Sequence, residues 1–170
     1  MKIFMAKADD NANTSGFLLK LLADAYRPEY FKARITLGHP GSEITNPAFS
    51  YSYGIIHQVW FEDDVLWGDV EFNESGLELI KNGMVTYVSI GVTLFEWEAD
   101  EVPDEFPYPY MDSQAAIRLG TKAGFGYMLD EEGELIGGHG AYLAHLALLG
   151  AQNPAVLGQP TLQEQLKEAV

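Results

Sequence analysis

The segment YSYGIIHQVWFEDDVLWGDVEFN, residues 51–73, constrains the fold more than any other part of the chain. Two runs rich in β-branched and aromatic residues flank the acidic sequence EDD, which favours a turn. In the second run Leu66, Gly68 and Val70 share one face of a strand, because successive side chains point to opposite sides. The segment therefore predicts a β-hairpin, and the chain is expected to contain antiparallel β-structure.

Shorter patterns along the chain predict further strands and several short helices. Apolar residues at helical spacing follow Thr14 or Ser15, either of which suits an N-cap, and Pro28 stops this helix. The other predicted helices are NESGLELIKNGM, SQAAIRLGTKAG and, capped by Thr161, TLQEQLKEAV. The other predicted strands include KARITLGHP, VTYVSIGVTLFEWEA and AYLAHLALLG, with a second hairpin in FGYMLDEEGELIGG. The pattern thus predicts about seven strands and three or four short helices. This is too few helices for a doubly wound sheet, so an α+β fold is expected.

Charge and composition exclude several classes of protein. The 170 residues suit one domain, and 25 acids against 10 bases give a formal net charge of −15. Such a chain is repelled by phosphate backbones and anionic membranes, so we expect no direct binding to nucleic acid or membrane. The absence of cysteine excludes disulfides and thiol catalysis. No apolar run approaches the roughly 18 residues of a membrane-spanning helix, so a soluble intracellular domain is expected.

The motifs predict neither a metal nor a cofactor. The chain has no HExxH sequence and no two histidines four residues apart, and its acidic clusters EDD and DEE are typical of solvated turns. The sequence GGHG lacks the lysine and the following helix of a phosphate-binding loop. The GxSxG sequence of the common hydrolase fold is also absent.

A serine in an apolar strand is the feature that raises the question of catalysis. In TYVSIGV, Ser89 lies within a β-branched run, and Gly91 follows two residues later. Ser89 is either a packed serine bonded to a carbonyl or a nucleophile, which needs a neutral imidazole as base and a third group to orient that base. Gly91 would let a substrate carbonyl come close, which makes it an oxyanion candidate. From spacing alone, the structural serine is the better supported interpretation.

The chain has four histidines that could supply such a base. His39 lies at the end of a predicted strand, between Gly38 and Pro40, where a side chain is well placed to face a cleft. The pattern favours a half-exposed sheet position for the second histidine and a loop among glycines for the third. The fourth interrupts an apolar strand, where a hydrogen-bonded core histidine is favoured over a catalytic one. In chain order these three are His57, His139 and His145.

Four segments, in this order, resemble the serine prohead proteases of tailed phages, in the group whose protease and capsid scaffold form one polypeptide. They are ADDNANTSGFLLKLLADAYRPEYFKARITLGHP, GIIHQVWFEDDVLWGDVEF, GLELIKNGMVTYVSIGV and YLAHLALLGAQNPAVLG, within a resemblance from about Ile3 to Gly158. The Asn-Pro-Ala turn after the last strand is also similar to the Mu-like prohead proteases. The resemblance implies an α+β fold, a small bent β-sheet or β-barrel of about seven strands surrounded by short helices.

The resemblance also implies roles for individual residues. Ser89 matches the nucleophile, His39 the general base, and Asp10 the acidic position before the first helix. The distantly related herpesvirus assembly proteases are similar in logic, but their third member is a histidine. The alternatives for the third catalytic residue are Asp9, His139 and His145.

A serine endopeptidase of phage head maturation is the activity that the resemblance implies. It would act in the bacterial host cytoplasm, inside the prohead, on the scaffolding protein, the major capsid protein and itself. Residues 1–158 would form the protease domain, and residues 159–170 the start of a helical segment that could lead to a scaffolding region. By analogy with the herpesvirus proteases, a homodimer is a further expectation.

Two other functions remain open from the sequence. The first is a catalytically inactive head-assembly or decoration protein of the same fold, which a Ser89 packed into the core or far from His39 would favour. The second is an unrelated acidic β-domain that binds a small ligand, which a deep apolar pocket away from Ser89 would favour.

Overall fold

The computed structural model describes residues 1–9, 14–26, 28, 32–39, 52–98, 127–129, 131–132, 135–150 and 158–169. Seven strands are present within these ranges: β1 Lys2–Lys7, β2 Arg34–Leu37, β3 Gly54–Glu62, β4 Val65–Phe72, β5 Tyr87–Glu98, β6 Tyr127–Leu129 and β7 Leu135–Leu149. The helices there are α1 Gly16–Ala25, α2 Glu74–Lys81 and α3 Leu162–Glu168.

The strands form one sheet in the order β1-β4-β3-β2-β7-β5, and β6 pairs with β7 beside this path. β2 and β7 run parallel, whereas the other neighbours are antiparallel. The six strands of the path bend into a nearly closed barrel, with short helices around it. This confirms the predicted α+β fold with a small bent sheet or barrel.

The predicted hairpin is confirmed as β3 and β4. Its turn residues, Asp63 and Asp64, have φ angles of 52° and 62°. Two residues in this left-handed region match the right-handed twist of the strands on either side, and the short polar side chain of Asp tolerates it. On β4, Leu66 and Val70 are buried, as the alternation predicts.

Helix α1 packs on the sheet and helps to place β2. Ser15 is its N-cap, and the side chain accepts a hydrogen bond from the Leu18 amide. Beyond its last turn, the buried Tyr26 hydroxyl donates to the Ile56 carbonyl at 2.5 Å and accepts from the Ala33 amide at 2.9 Å. These two bonds tie the end of α1 to β3 and to the residue preceding β2.

The apolar core lies between α1 and the inner face of the sheet, and α3 closes one side of it. Its largest fully buried side chains come from every layer: Ile3, Met5, Leu19, Leu22, Ile35, Ile56, Leu66, Ile80, Leu143, Leu146 and Leu148. No helix in the described ranges is long and apolar enough to cross a membrane.

In the second half of the chain, one prediction from the sequence is wrong and one lies outside the described residues. His139, expected in a loop among glycines, is part of β7, so that expectation was wrong. Residues 137–140 pair with β5 on one side, and residues 137 and 138 with β6 on the other, so strand pairing holds this segment in the sheet despite its glycines. The predicted helix SQAAIRLGTKAG lies outside the described residues.

The helix predicted at the start of residues 159–170 is present as α3. Thr161 is its N-cap, and a capping box with Glu164 satisfies both backbone amides. Leu162 is fully buried, and α3 contacts β1 and α2. The segment therefore packs on the domain formed by the preceding residues.

Candidate active site

Ser89 lies on the outer face of the barrel, on β5. Its partner across the sheet is Ala147 of β7, and Gly91 is opposite His145. Register partners point to the same face of a sheet, so Ser89 and His145 share this outer face. Val88, the neighbour of Ser89, points the other way and is buried in the core. A serine within an apolar strand is thus explained by alternation, because its side chain is half-buried on the side away from the core.

A β-bulge in β7 occurs at His145. The register passes from the Gly91–His145 pair to the Val92–Leu143 pair, so Ala144 is the extra residue. Bulges of this kind bend a strand locally and re-aim the side chain beside them.

The imidazole of His145 lies directly over Gly91. A Cβ added to Gly91 would come within 2.0 Å of Cε1, 2.2 Å of Nε2 and 2.4 Å of Nδ1 of that ring. No side chain at residue 91 fits while the ring keeps this position, so this placement of His145 requires glycine there. Gly91 makes room for His145 in this structure, whereas its expected part in an oxyanion site stays a prediction.

His39 reaches the same face from the end of β2. Gly38 has a φ of 70°, a left-handed conformation that favours glycine, and its amide donates to the Leu148 carbonyl at 3.0 Å. The Thr36 hydroxyl donates to the Gly38 carbonyl at 2.8 Å. These bonds turn the chain across the end of β7 and bring His39 between β5 and the bulge.

The three side chains form two hydrogen bonds in series. His39 Nε2 lies 2.9 Å from Ser89 Oγ, and His39 Nδ1 lies 2.8 Å from His145 Nε2. The two imidazole rings meet edge to face, with centroids 5.1 Å apart and planes at 67°. If the His39 proton is on Nδ1, it is donated to His145, and Nε2 is left to accept the Ser89 proton.

Electrostatics favours the neutral form of His145. Burial lowers the pKa of His145, and the neighbouring His39 lowers this pKa further. A neutral ring whose proton is on Nδ1 presents a lone pair at Nε2, the atom that faces His39. His145 is therefore suited to accept a hydrogen bond from His39 Nδ1 while it stays neutral.

The structure places one candidate for the third residue beside His39. It brings His145 to His39, whereas Asp10 lies outside the described residues. The amide of Asp9 donates to the Thr14 carbonyl at 2.9 Å, in an isolated bridge before α1. The backbone of His139 is on β7, six residues before His145, which corresponds to about 20 Å along a strand.

The remaining histidine belongs to a different part of the surface. His57 Nε2 is 2.7 Å from Glu71 Oε2, and His57 Nδ1 is 3.3 Å from Lys32 Nζ. It is half-exposed within β3, as expected from the sequence. Across the described part of the chain, no three His, Asp or Glu side chains are grouped so that they could hold a metal ion.

Comparison of the chain with protein-family models, with curated proteins and with solved structures found no match. Function is therefore inferred from the geometry of Ser89, His39 and His145, together with the resemblance of the sequence segments.

Proposed function

We propose that the chain is a serine endopeptidase in which Ser89 is the nucleophile, His39 the general base and His145 the third member. The observation that carries the proposal is the pair of bonds from Ser89 Oγ to His39 and from His39 to His145, at 2.9 and 2.8 Å. This arrangement has the order of a catalytic triad, in which the base takes the proton of the nucleophile and the third residue orients the base.

The proposed reaction uses the neutral form of His39. Ser89 Oγ attacks the carbonyl carbon of the scissile peptide as its proton passes to His39 Nε2, and the carbonyl oxygen becomes an oxyanion. The C–N bond then breaks, the leaving amine takes the proton from His39, and an acyl-enzyme remains. Water attacks the acyl group by the same route, releasing the acid and restoring the Ser89 hydroxyl.

His145 has a specific task in this scheme. By accepting a hydrogen bond from His39 Nδ1–H, it holds the tautomer whose Nε2 is free to receive the Ser89 proton. A protonated His145 would instead donate from Nε2 to His39 Nδ1, so the proton of His39 would move to Nε2 and the base would be lost. The lowered pKa of His145 therefore supports activity at neutral pH and predicts its loss in acid.

The substrates are inferred from the sequence resemblance. We propose cleavage of the scaffolding protein, of the major capsid protein precursor and of the chain itself, within the prohead in the host cytoplasm. The net charge of −15 supports this setting, because it disfavours binding to the DNA that is packaged there. The outward position of Ser89, in contact with His39, favours this proposal over an inactive assembly protein.

The proposal is tested in two stages. Purified chain is treated with a fluorophosphonate, which forms an O–P bond to an activated serine and releases fluoride, and the intact mass is measured. Labelling is expected for wild type and for Ser75→Ala, a matched serine control on α2, but not for Ser89→Ala. Labelling of Ser89→Ala at the wild-type rate would refute the proposed role of Ser89 as the nucleophile.

The second stage is co-expression with the scaffolding and major capsid proteins. Processed masses that appear with wild type and not with Ser89→Ala support the phage substrates. Labelled chain with uncut capsid proteins would keep the serine hydrolase and reject these substrates.

A further inference from the structure

The barrel has a seam that is closed by something other than strand pairing. β1 and β5 are the two end strands of the sheet and contact each other, yet no ladder joins them in the described ranges. Residues 159–168, which we call the seam segment, contain α3 and lie across this gap. Backbone groups on both end strands are hydrogen-bonded to this segment.

On the β5 side, the seam segment contacts the strand that carries Ser89. The Gln159 side chain donates from Nε2 to the Val88 carbonyl at 3.1 Å, and the Leu162 amide donates to the Thr86 carbonyl at 2.8 Å. Val88 is in register with Leu148, whose carbonyl accepts from the Gly38 amide on the β2 side, so the Val88 carbonyl lies on the edge of β5 that faces away from β7. Gln159 itself is buried.

On the β1 side, a second buried glutamine makes the connection. Gln165 Oε1 accepts a hydrogen bond from the Phe4 amide at 2.7 Å, and its Nε2 donates to the Pro160 carbonyl at 3.2 Å. Pro160 follows Gln159 directly. The hydrogen bonds that connect β1 to β5 therefore pass through the adjacent residues Gln159 and Pro160 of the seam segment. The buried side chain of Leu162 anchors α3 in the core.

The bond from Gln159 acts on the peptide unit that contains Ser89. The Val88 carbonyl and the Ser89 amide belong to one rigid plane, because the peptide bond between them does not rotate. The opposite edge of β5 is held by β7, through the register of Ser89 with Ala147. Gln159 thus holds this plane from the side on which β5 pairs with none of the described strands.

We propose that Gln159 is a positioning residue for Ser89, and that the packing of the seam segment across β1 and β5 sets the rate at which Ser89 reacts. This inference rests on the proposed function, because it concerns the rate at which Ser89 attacks. Loss of the bond leaves the Val88–Ser89 plane free to tilt, which shifts Oγ relative to His39. Misplacement of a reacting atom by about 1 Å can cost on the order of 100-fold in rate.

The test uses Gln159→Met in the full chain, which keeps side-chain length and removes the donor. The rate of fluorophosphonate labelling is measured well below the melting temperature, over a range of pH. We expect the rate to fall about 10- to 100-fold with an unchanged pH midpoint, because His39 and His145 are untouched. Removing the donor leaves the buried Val88 carbonyl unsatisfied, which should lower the melting temperature by roughly 2–12 °C.

Gln163→Met is the matched control, since Gln163 lies in the same segment but makes its hydrogen bond to the Lys81 carbonyl at the surface. It should label at the wild-type rate. If Gln159→Met fails to fold, Gln159→Leu provides a second apolar replacement of similar volume. Wild-type labelling by either folded variant would overturn the inference and leave the proposed function intact, whereas failure of wild type itself to label would overturn both.

Discussion

Gly91→Ala should break the site by displacing His145 and leaving Ser89 and His39 in place. The added Cβ would lie 2.0–2.4 Å from three atoms of the imidazole, so the ring has to move. That movement removes the 2.8 Å contact with His39 Nδ1. One methyl group on β5 therefore tests the importance of a histidine on β7.

The expected effect on stability follows from overpacking. Forcing a methyl group against a packed ring costs about 1–3 kcal/mol in the free energy of unfolding. In a His145→Ala background the ring is gone, and alanine is favoured over glycine within a strand by roughly 0.5–1 kcal/mol. Gly91→Ala should thus destabilise the wild type and stabilise the His145→Ala variant. The coupling between the two substitutions should be at least about 1.5 kcal/mol.

The assay is a double-mutant cycle with two measurements. Urea denaturation gives the free energies of unfolding, and fluorophosphonate labelling gives the reactivity of Ser89 in each folded variant. Gly91→Ala should reduce labelling about 10- to 100-fold in wild type and cause no further reduction when His145 is already absent. Gly150→Ala is the control, because its Cβ would meet its nearest neighbour, the Met84 carbonyl, at 3.4 Å. Additive effects on stability, or full labelling of Gly91→Ala, would refute the reasoning.

Two further predictions concern ionisation and the placement of β2. The lowered pKa of His145 means that, below a pH of about 6.5, the unfolded chain binds a proton that the folded chain does not. The free energy of unfolding of wild type, relative to His145→Gln, should therefore fall as the pH is lowered through that value; a constant difference in urea titrations would contradict this. Tyr26→Phe removes the hydroxyl that bonds the Ile56 carbonyl and the Ala33 amide, which should cost about 1–3 kcal/mol in urea denaturation. A loss below about 0.5 kcal/mol would show that these buried groups find other partners.

The local elements could be predicted from the chain because their causes are local. The acidic turn between β3 and β4, the Ser15 cap of α1 and the Thr161 cap of α3 each depend on a few neighbouring residues. The same approach wrongly placed His139 in a loop, since the glycines around it, which indicate a loop in isolation, are held in β7 by the strands beside them. Propensity was overridden there by pairing with distant residues.

For the candidate site as well, some residues could be predicted from local sequence and others depend on contacts between distant strands. The sequence singles out Ser89, because it interrupts an apolar strand, and His39, because it follows a predicted strand and a glycine. Spacing alone nevertheless favours a structural role for Ser89. The sequence predicts His145 only as an alternative for the third residue, because nothing local distinguishes it from a packed core histidine. Its proximity to His39 depends on the parallel pairing of β2 with β7, on a bulge at Ala144 and on the missing side chain of Gly91. His39 is 50 residues from Ser89 and 106 residues from His145 along the chain, so only tertiary packing brings the three together. Register and side-chain direction are properties of pairs of strands and not of either strand alone.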